Sequence, residues 1–582
     1  MKLMLINSRF AKRFRSRWKL PLCALLTCCA AATESDAFAA DEPAGRVVFN
    51  SLEFLPLPAA ADASGINVSV PEPALLPTDS GRGTLAEGFA PGESPFAERF
   101  EYSPAMDDHG DEHESCYPER LLEALEAPVE PLGEFFGCLL CAEHYEVHEA
   151  VSDHATGLLP VADRPNLLLE TNERFLAAGE LSEGIVLPTC AVWRPSFWVF
   201  GTYRSAFGHR NNQRGRNFTE WANRLDLFGQ LNLSGTERLL VGMRPLDEEV
   251  DGRRRQFSGY DFADGRTLDG WNSNVQTLFF EGDIGEIFPT LDPDDTGGLD
   301  YGFSVGRQPM SFQQGLLVNE DMIDAFTLTR NTLNGDGNLN MRLTGVYAWK
   351  EISRNNGVVD PNAEMVGLFT ESDFLFSTVN ADIAYVDSKT AMGSLMTAGV
   401  SAIQRVEGAH NIFNSSLHVL WSVPTERETT ASGRGVLLFS QLSWTPHHRE
   451  DLVYLNSFWA IDQFTSAARG PLMGGPLGQT GILFASPALG QFGAPLSNQA
   501  SAAFGGSLGY QLFFDSIIGQ QVVFEVGGRK DTNGIQQGEI GSAVRYQKRL
   551  DEHWIFLVDG FGTWRENEGV GPGARIELFA KF

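Results

Sequence analysis

From about residue 191 to Phe582, apolar and polar side chains alternate with a period of two. Leu225, Leu227, Gly229, Leu231 and Leu233 alternate with Arg224, Asp226, Phe228, Gln230 and Asn232. A turn at Ser234-Gly235-Thr236 follows, and the next run puts Leu239, Val241 and Met243 on one face. Two-residue alternation is the signature of a pleated strand, whose successive side chains point to opposite faces. It continues into the last ten residues, where Ala574, Ile576, Leu578, Ala580 and Phe582 share a face. Arg575, Glu577, Phe579 and Lys581 share the other. A strand at the end of the chain exposes an edge, so it is expected to pair with a strand elsewhere.

The alternation predicts strands at 196–207, 222–233, 238–246, 275–284, 299–308, 322–330, 340–350, 363–371, 377–387 and 391–404. Further strands are predicted at 411–421, 434–445, 451–464, 501–513, 520–530, 539–549, 553–565 and 573–582. That makes eighteen, with sixteen as the runner-up. Outer-membrane barrels have short turns at one end and long loops at the other. The connections 234–237, 331–339, 372–376, 405–410, 446–450, 514–519 and 550–552 are short, as one end requires. The connections 247–274 and 465–500 are long, as the other requires. Only 285–298 and 388–390 break the rule. The run 363–371 is the weakest strand, yet removing it would break the alternation of connections.

One strand measures the thickness of the expected apolar band. Trp554, Phe556, Val558, Gly560, Gly562 and Trp564 share a face, with tryptophan at both ends. About ten residues at about 3.4 Å each, tilted by about 45°, span about 25 Å, the height of the apolar belt of a membrane barrel. A soluble β-sandwich also alternates, but it does not turn so many long apolar faces outward. The predicted class is therefore all-β, a transmembrane antiparallel β-barrel over 191–582.

The first 190 residues differ. Residues 1–39 carry Lys2, Arg9, Lys12, Arg13, Arg15, Arg17 and Lys19, an apolar run Leu20 to Ala32, and the small-residue site Ala37-Phe38-Ala39. This is the pattern of a signal peptide, and its apolar core is too short to span a bilayer. Lipoprotein cleavage at Cys28 is the competing reading, disfavoured by the preceding Thr27. Residues 40–115, rich in Pro, Ala, Gly and acid, read as a disordered acidic segment. Residues 116–190 read as a small helical Cys-containing module, with amphipathic stretches at 116–155 and 166–181. It serves either as a periplasmic arm or as a plug of the barrel.

Charge and cysteine narrow the function classes. The formal net charge is -31; seven positive and two negative groups lie in 1–39, so the remainder carries -36. Of this, 40–190 holds -23 and 191–582 holds -13. No basic patch of the kind that nucleic acid requires is present. Beyond residue 39 the cysteines are Cys116, Cys138, Cys141 and Cys190, expected as disulfides, with Cys138–Cys141 plus Cys116–Cys190 preferred among three connectivities. Cys138, Cys141, His144 and His148 would line one side of a helix, but zinc sites of that class gather ligands from two elements, so no metal is expected. No haem-attachment motif, His-Glu-x-x-His or phosphate loop occurs. Neither an enzyme nor a cofactor is expected.

On a barrel only the lumen can hold the charges of these strands. Alternation turns Arg224, Asp226, Arg244, Glu525, Arg529, Arg545, Asp559, Arg575, Glu577 and Lys581 inward, as pore-lining candidates that set the field felt by a solute. Mutual pairing that merely stiffens the wall is the alternative. Arg529, Arg545 and Arg575 are expected to form one basic patch, a complement for an acidic plug. The connection 465–500 has a single charge, Arg469. Such an apolar loop folds into the barrel, closes its mouth as a lid, or packs on another subunit.

A terminal strand alternating to Phe582 resembles the C-terminal signal of Gram-negative outer-membrane β-barrel porins. That resemblance implies an assembly machinery that reads Phe582. Val305-Gly306-Arg307-Gln308-Pro309-Met310-Ser311-Phe312, followed by Asp321 and Asp324-Ala325-Phe326, is similar to a pattern of alginate-export-type porins. This implies eighteen strands, as counted, with Arg307 as a further pore-lining candidate. It also implies a basic lumen, which a barrel of net charge -13 does not supply.

The expected function is an outer-membrane channel for passive passage of small hydrophilic solutes. The alternative is a plugged barrel acting as a scaffold that recruits a periplasmic protein partner. Outer-membrane lipid surrounds either one, and the oligomeric state is open.

Overall fold

The structure, a computed structural model, describes residues 166–582 apart from 173–174, 176–182, 212–216, 251–253, 292–296, 334, 336, 356, 408–411, 447–450, 515–518 and 535–537. The signal-peptide, acidic-segment and Cys116, Cys138 and Cys141 expectations therefore lie outside the described residues.

Eighteen antiparallel strands close into a barrel. They are β1 (Ser196–Asn211), β2 (Asn217–Asn232), β3 (Arg238–Met243), β4 (Val275–Asp283), β5 (Tyr301–Phe312) and β6 (Val318–Arg330). Next come β7 (Asn340–Lys350), β8 (Ala363–Asp373), β9 (Ser377–Ser388), β10 (Leu395–Glu407), β11 (Ile412–Pro424) and β12 (Gly435–Thr445). The last are β13 (Leu452–Gln463), β14 (Ser501–Phe514), β15 (Gln520–Asp531), β16 (Glu539–Arg549), β17 (Trp554–Arg565) and β18 (Gly569–Lys581). Each pairs with its sequence neighbours, and β18 pairs with β1 from Gly573↔Arg210 to Lys581↔Thr202. Phe582 completes the seam: its N–H donates to the Gly201 carbonyl at 3.0 Å, and Gly201 N–H donates back at 2.7 Å. The strand that ends the chain is thus paired on both edges.

The seam extends one step further. Leu169–Thr171 adds antiparallel to β1 beside Phe582, with Leu169 opposite Val199 and Thr171 opposite Phe197. A helix was expected over 166–181, but these three residues are strand. The free edge of β1 left beyond Phe582 supplies hydrogen-bond partners that local helix propensity cannot outweigh. Cys190, in the turn before β1, is exposed.

The surface is inverted relative to a soluble protein. Val366, Val526 and Ile576 face outward at 56%, 55% and 49% exposure, whereas inward Arg224 and Glu577 are 1% and 3% exposed. Trp221, Phe326, Tyr347, Trp459 and Trp564 add to the outward apolar face. Among the described residues no helix is long and apolar enough to cross a membrane.

One end of the barrel carries short connections such as 374–376 and 550–553; the other carries 244–274 and 464–500. Within 244–274, Arg254–Asp261 pairs with the upper part of β2 and carries the wall beyond the short β3. Above β7–β12 the long-loop end is tied by Arg354. Its guanidinium donates to Gly393 O at 3.0 Å, Ser432 Oγ at 2.7 Å and Asp360 Oδ2 at 3.4 Å. Burial pushes this guanidinium below its ordinary value, opposed by Asp360.

Candidate functional site in the barrel interior

The connection 464–500 folds into the barrel, the first of the three destinations its composition allowed. Its apolar side chains bury against the inner wall: Phe484 meets Phe458 edge-on at 5.6 Å, and Phe492 meets Phe561 at 5.8 Å. Leu477, Ile482, Leu483 and Leu496 join the same core. A second segment folds in beside it. Gln313, Gln314 and Gly315 all have φ between 52° and 73°, a left-handed run that turns the β5–β6 tip inward. Leu316 and Leu317 then enter the core. The two segments hold each other, since Val318–Asn319 pairs in parallel with Ala468–Arg469. Arg469 also donates to the carbonyls of Gly315 and Leu316.

An irregular backbone buried this way carries N–H and C=O groups that need partners. The wall supplies them with charged side chains, which make the stronger hydrogen bonds. Arg204 donates to Pro487 O and Arg224 to Ala488 O, both at 3.0 Å. Arg210 donates to Gly493 O at 3.0 Å, and Arg529 to Ser497 O and Gln499 O at 2.7 and 2.8 Å. Carboxylates take the N–H groups. Glu525 accepts from Ile482 and Leu483 at 2.8 and 2.9 Å, Glu220 from Gln491 at 2.7 Å, and Glu539 from Ser497 at 2.9 Å. Tyr454 also donates its hydroxyl to Glu525.

The same charges pair along the wall. Arg204 Nε donates to Glu577 at 2.5 Å, and Glu577 also binds Arg575. Arg545 binds Asp559 at 2.6 Å. Asp226 holds Arg224 at 2.9 Å and Arg244 at 2.6 Å, and Arg244 reaches Asp321 at 3.0 Å.

The pore-lining candidates Arg224, Asp226, Arg244, Glu525, Arg529, Arg545, Asp559, Arg575 and Glu577 thus lie on the inner face, but buried beneath the infolded segment. Two expectations need correction. Arg529, Arg545 and Arg575 do not form a bare basic patch, because Asp531, Asp559 and Glu577 are bound to them. Arg307 does not line the lumen. It shares a face with exposed Val305 and grips Asp324 at 2.8 Å, beside exposed Phe326, so it points outward. The reason is phase: Ser304 and Gln308, on the other face of β5, bond each other inside.

Sequence reasoning missed Arg204, Glu220 and Glu539. The first two lie in phase with Arg224 and were legible; Glu220 was lost only because β2 begins earlier than predicted. It also missed His418, buried on β11, whose Nδ1 meets Gln313 at 3.0 Å and Nε2 meets Gln314 at 2.9 Å. Nothing in a lone histidine signals that contact. Towards the short-turn end of β14–β16 the inner face carries amides: Gln511 donates to Gln521 at 2.5 Å, and Gln521 to Gln547 at 3.2 Å.

No family model matches this chain, and no curated protein matches it. It is similar to solved structures of two organisms. OccK2 (OpdF) of Pseudomonas aeruginosa aligns with a TM-score of 0.48 at 10% identity, covering 66% of this chain and 97% of that one. OccK5 (OpdH) of the same organism gives 0.46 at 11%, covering 66% and 98%. OccAB3 of Acinetobacter baumannii gives 0.46 at 11%, covering 66% and 99%.

Proposed function

We propose that the protein is an outer-membrane channel through which small hydrophilic solutes pass passively, with 464–500 as its constriction. One observation carries the reading: apolar side chains cover the outside of a closed barrel, and charged and amide side chains face its inside. Water is the medium that suits such an interior, and lipid the one that suits such an exterior. The short-turn end then faces the periplasm, and the segment before Ser196 arrives from that side. Conductance of the purified protein in planar bilayers tests the reading. Discrete open-channel steps are expected, and their absence with and without residues 40–190 would overturn it.

A second reading has its own support. The infolded segments make a packed apolar core inside the barrel, which suits a plugged scaffold that recruits a periplasmic partner. That reading predicts a silent bilayer. Among the described residues, a contact supports the plug expected from 116–190: Phe175 packs edge-on against inward Trp198 at 5.2 Å. Deleting 116–190 raises single-channel conductance if that segment plugs the lumen, and leaves it unchanged if it hangs as an arm. Phe582 is proposed as the assembly signal; removing it is expected to lower the yield of heat-modifiable barrel.

A further inference from the structure

Most of the charges that alternation turned inward are committed to each other and to the backbone of 464–500. What remains for a solute is the part of the inner wall that is not buried. On β12, β14, β15 and β16 that wall presents the amides of Gln441, Gln511, Gln521 and Gln547, with buried Asn456 and Ser507 beside Gln441. Gln441 donates to Asn456 at 3.2 Å, and Asn456 to Ser507 at 3.4 Å. Gln511, Gln521 and Gln547 continue the track towards the short-turn end. Gln521 and Gln547 lie one inward position beyond the charged belt, being two residues past Val523 and Arg545. The four glutamines are partly exposed.

A primary amide offers two N–H donors and two carbonyl lone pairs. In this ladder Gln521 spends one N–H on Gln547 and one lone pair on Gln511. At least one donor and one acceptor per amide are left to face the lumen, spaced along neighbouring strands. Some ionised groups that reach solvent on the inner wall, as in Arg342–Glu371 and Arg238–Glu281, face a partner of opposite sign. An ion at these pairs meets both signs, whereas a hydroxyl at the glutamine ladder meets both a donor and an acceptor.

Resting on the channel reading above, we infer that the solute class is uncharged and hydroxyl-rich, of the kind a linear saccharide represents, and that Gln511, Gln521 and Gln547 bind it. The complementarity is that of a neutral site built to hydrogen-bond hydroxyls, which rejects an ion because no countercharge replaces its water.

The test uses the full-length protein in planar bilayers, with maltohexaose as the neutral probe and succinate as the charged one. Open-channel current in KCl comes first; its absence would sink the channel reading, and this inference with it. Given current, three results are expected. The reversal potential under a KCl gradient stays close to zero, and maltohexaose interrupts the current while succinate does not. The Gln521→Leu/Gln547→Leu variant raises the half-blocking maltohexaose concentration about tenfold, as loss of one or two hydrogen bonds requires. Heat-modifiable migration shows that the variant barrel is folded, and Gln521→Asn, which keeps the amide, retains most of the block. Block by succinate alone, a strongly ion-selective current, or maltohexaose block unchanged in the double variant would each overturn the assignment.

Discussion

Two arcs of the inner wall do opposite work. On β8 to β13 many inward positions are apolar: Met365, Phe369, Val386, Leu420, Leu437, Phe439 and Phe458 are all buried. On β15 to β18, β1 and β2 they are largely charged, including Glu525, Arg545, Asp559, Arg575, Arg204 and Glu220. The segment 464–500 lies between them and uses both. Side chains such as Phe484 take the first arc, while Phe492 and the carbonyl and N–H groups of 482–499 take the second. A loop with almost no charge cannot sit in a polar lumen unless its peptide groups are bonded, and it cannot be held in place by those bonds alone. The difference between the arcs shows that inward charge on a barrel strand is not evidence of a charged passage. It can instead be the scaffold for a loop.

The comparison can be broken by removing the loop. Replacing 471–496 with a short Gly/Ser linker uncovers both arcs, and single-channel conductance should rise several-fold. An unchanged value would mean that the segment does not constrict the passage. A smaller effect comes from the charged arc. Arg545→Ala leaves Asp559 buried without its partner, which should cost about 3–5 kcal/mol. The urea midpoint of the folded barrel measures this. Converting the pair to Arg545→Met/Asp559→Leu should recover most of the loss, because both buried charges are then gone.

The apolar arc offers a comparable but distinct test. Phe484→Ala opens a cavity against Phe458 and should cost about 3 kcal/mol, with noisier open-channel current as the loop loosens. Glu525→Gln keeps the shape but weakens the bonds to Ile482 and Leu483, at about 1–2 kcal/mol. Its signature is increased current noise with little change in the unfolding midpoint. The smallest effect belongs to Arg342→Ala. It breaks a half-exposed pair with Glu371, which screening leaves worth less than about 1 kcal/mol. A large loss there would show that this region of the lumen is drier than its exposure indicates.

Much of the fold was legible from alternation. All eighteen strands form where they were expected, including 363–371, which appears as Ala363–Asp373. The period of two is a local property, set by which face of each strand meets lipid, so the sequence carries it residue by residue. The site was legible only in part. Arg224, Arg545 and Glu577 were placed on the inner face correctly, because phase decides facing. Their partners were not, because Ile482, Ala488 and Ser497 meet the wall through backbone atoms, which every residue type possesses. Arg307 was misplaced when a motif was read without its phase.

By itself the sequence determined an all-β barrel, its strand number, the direction most strand charges face, and the presence of one long apolar connection. Tertiary structure alone decided where that connection goes and what the charges do. It also decided that Leu169–Thr171 is strand, against its local helical pattern. The physical reason is shared. Facing is set by neighbours two residues apart, whereas a buried peptide group or an open strand edge is satisfied by whatever the closed barrel brings beside it. Arg224 and Ala488, far apart in the chain, meet only once β18 has paired with β1.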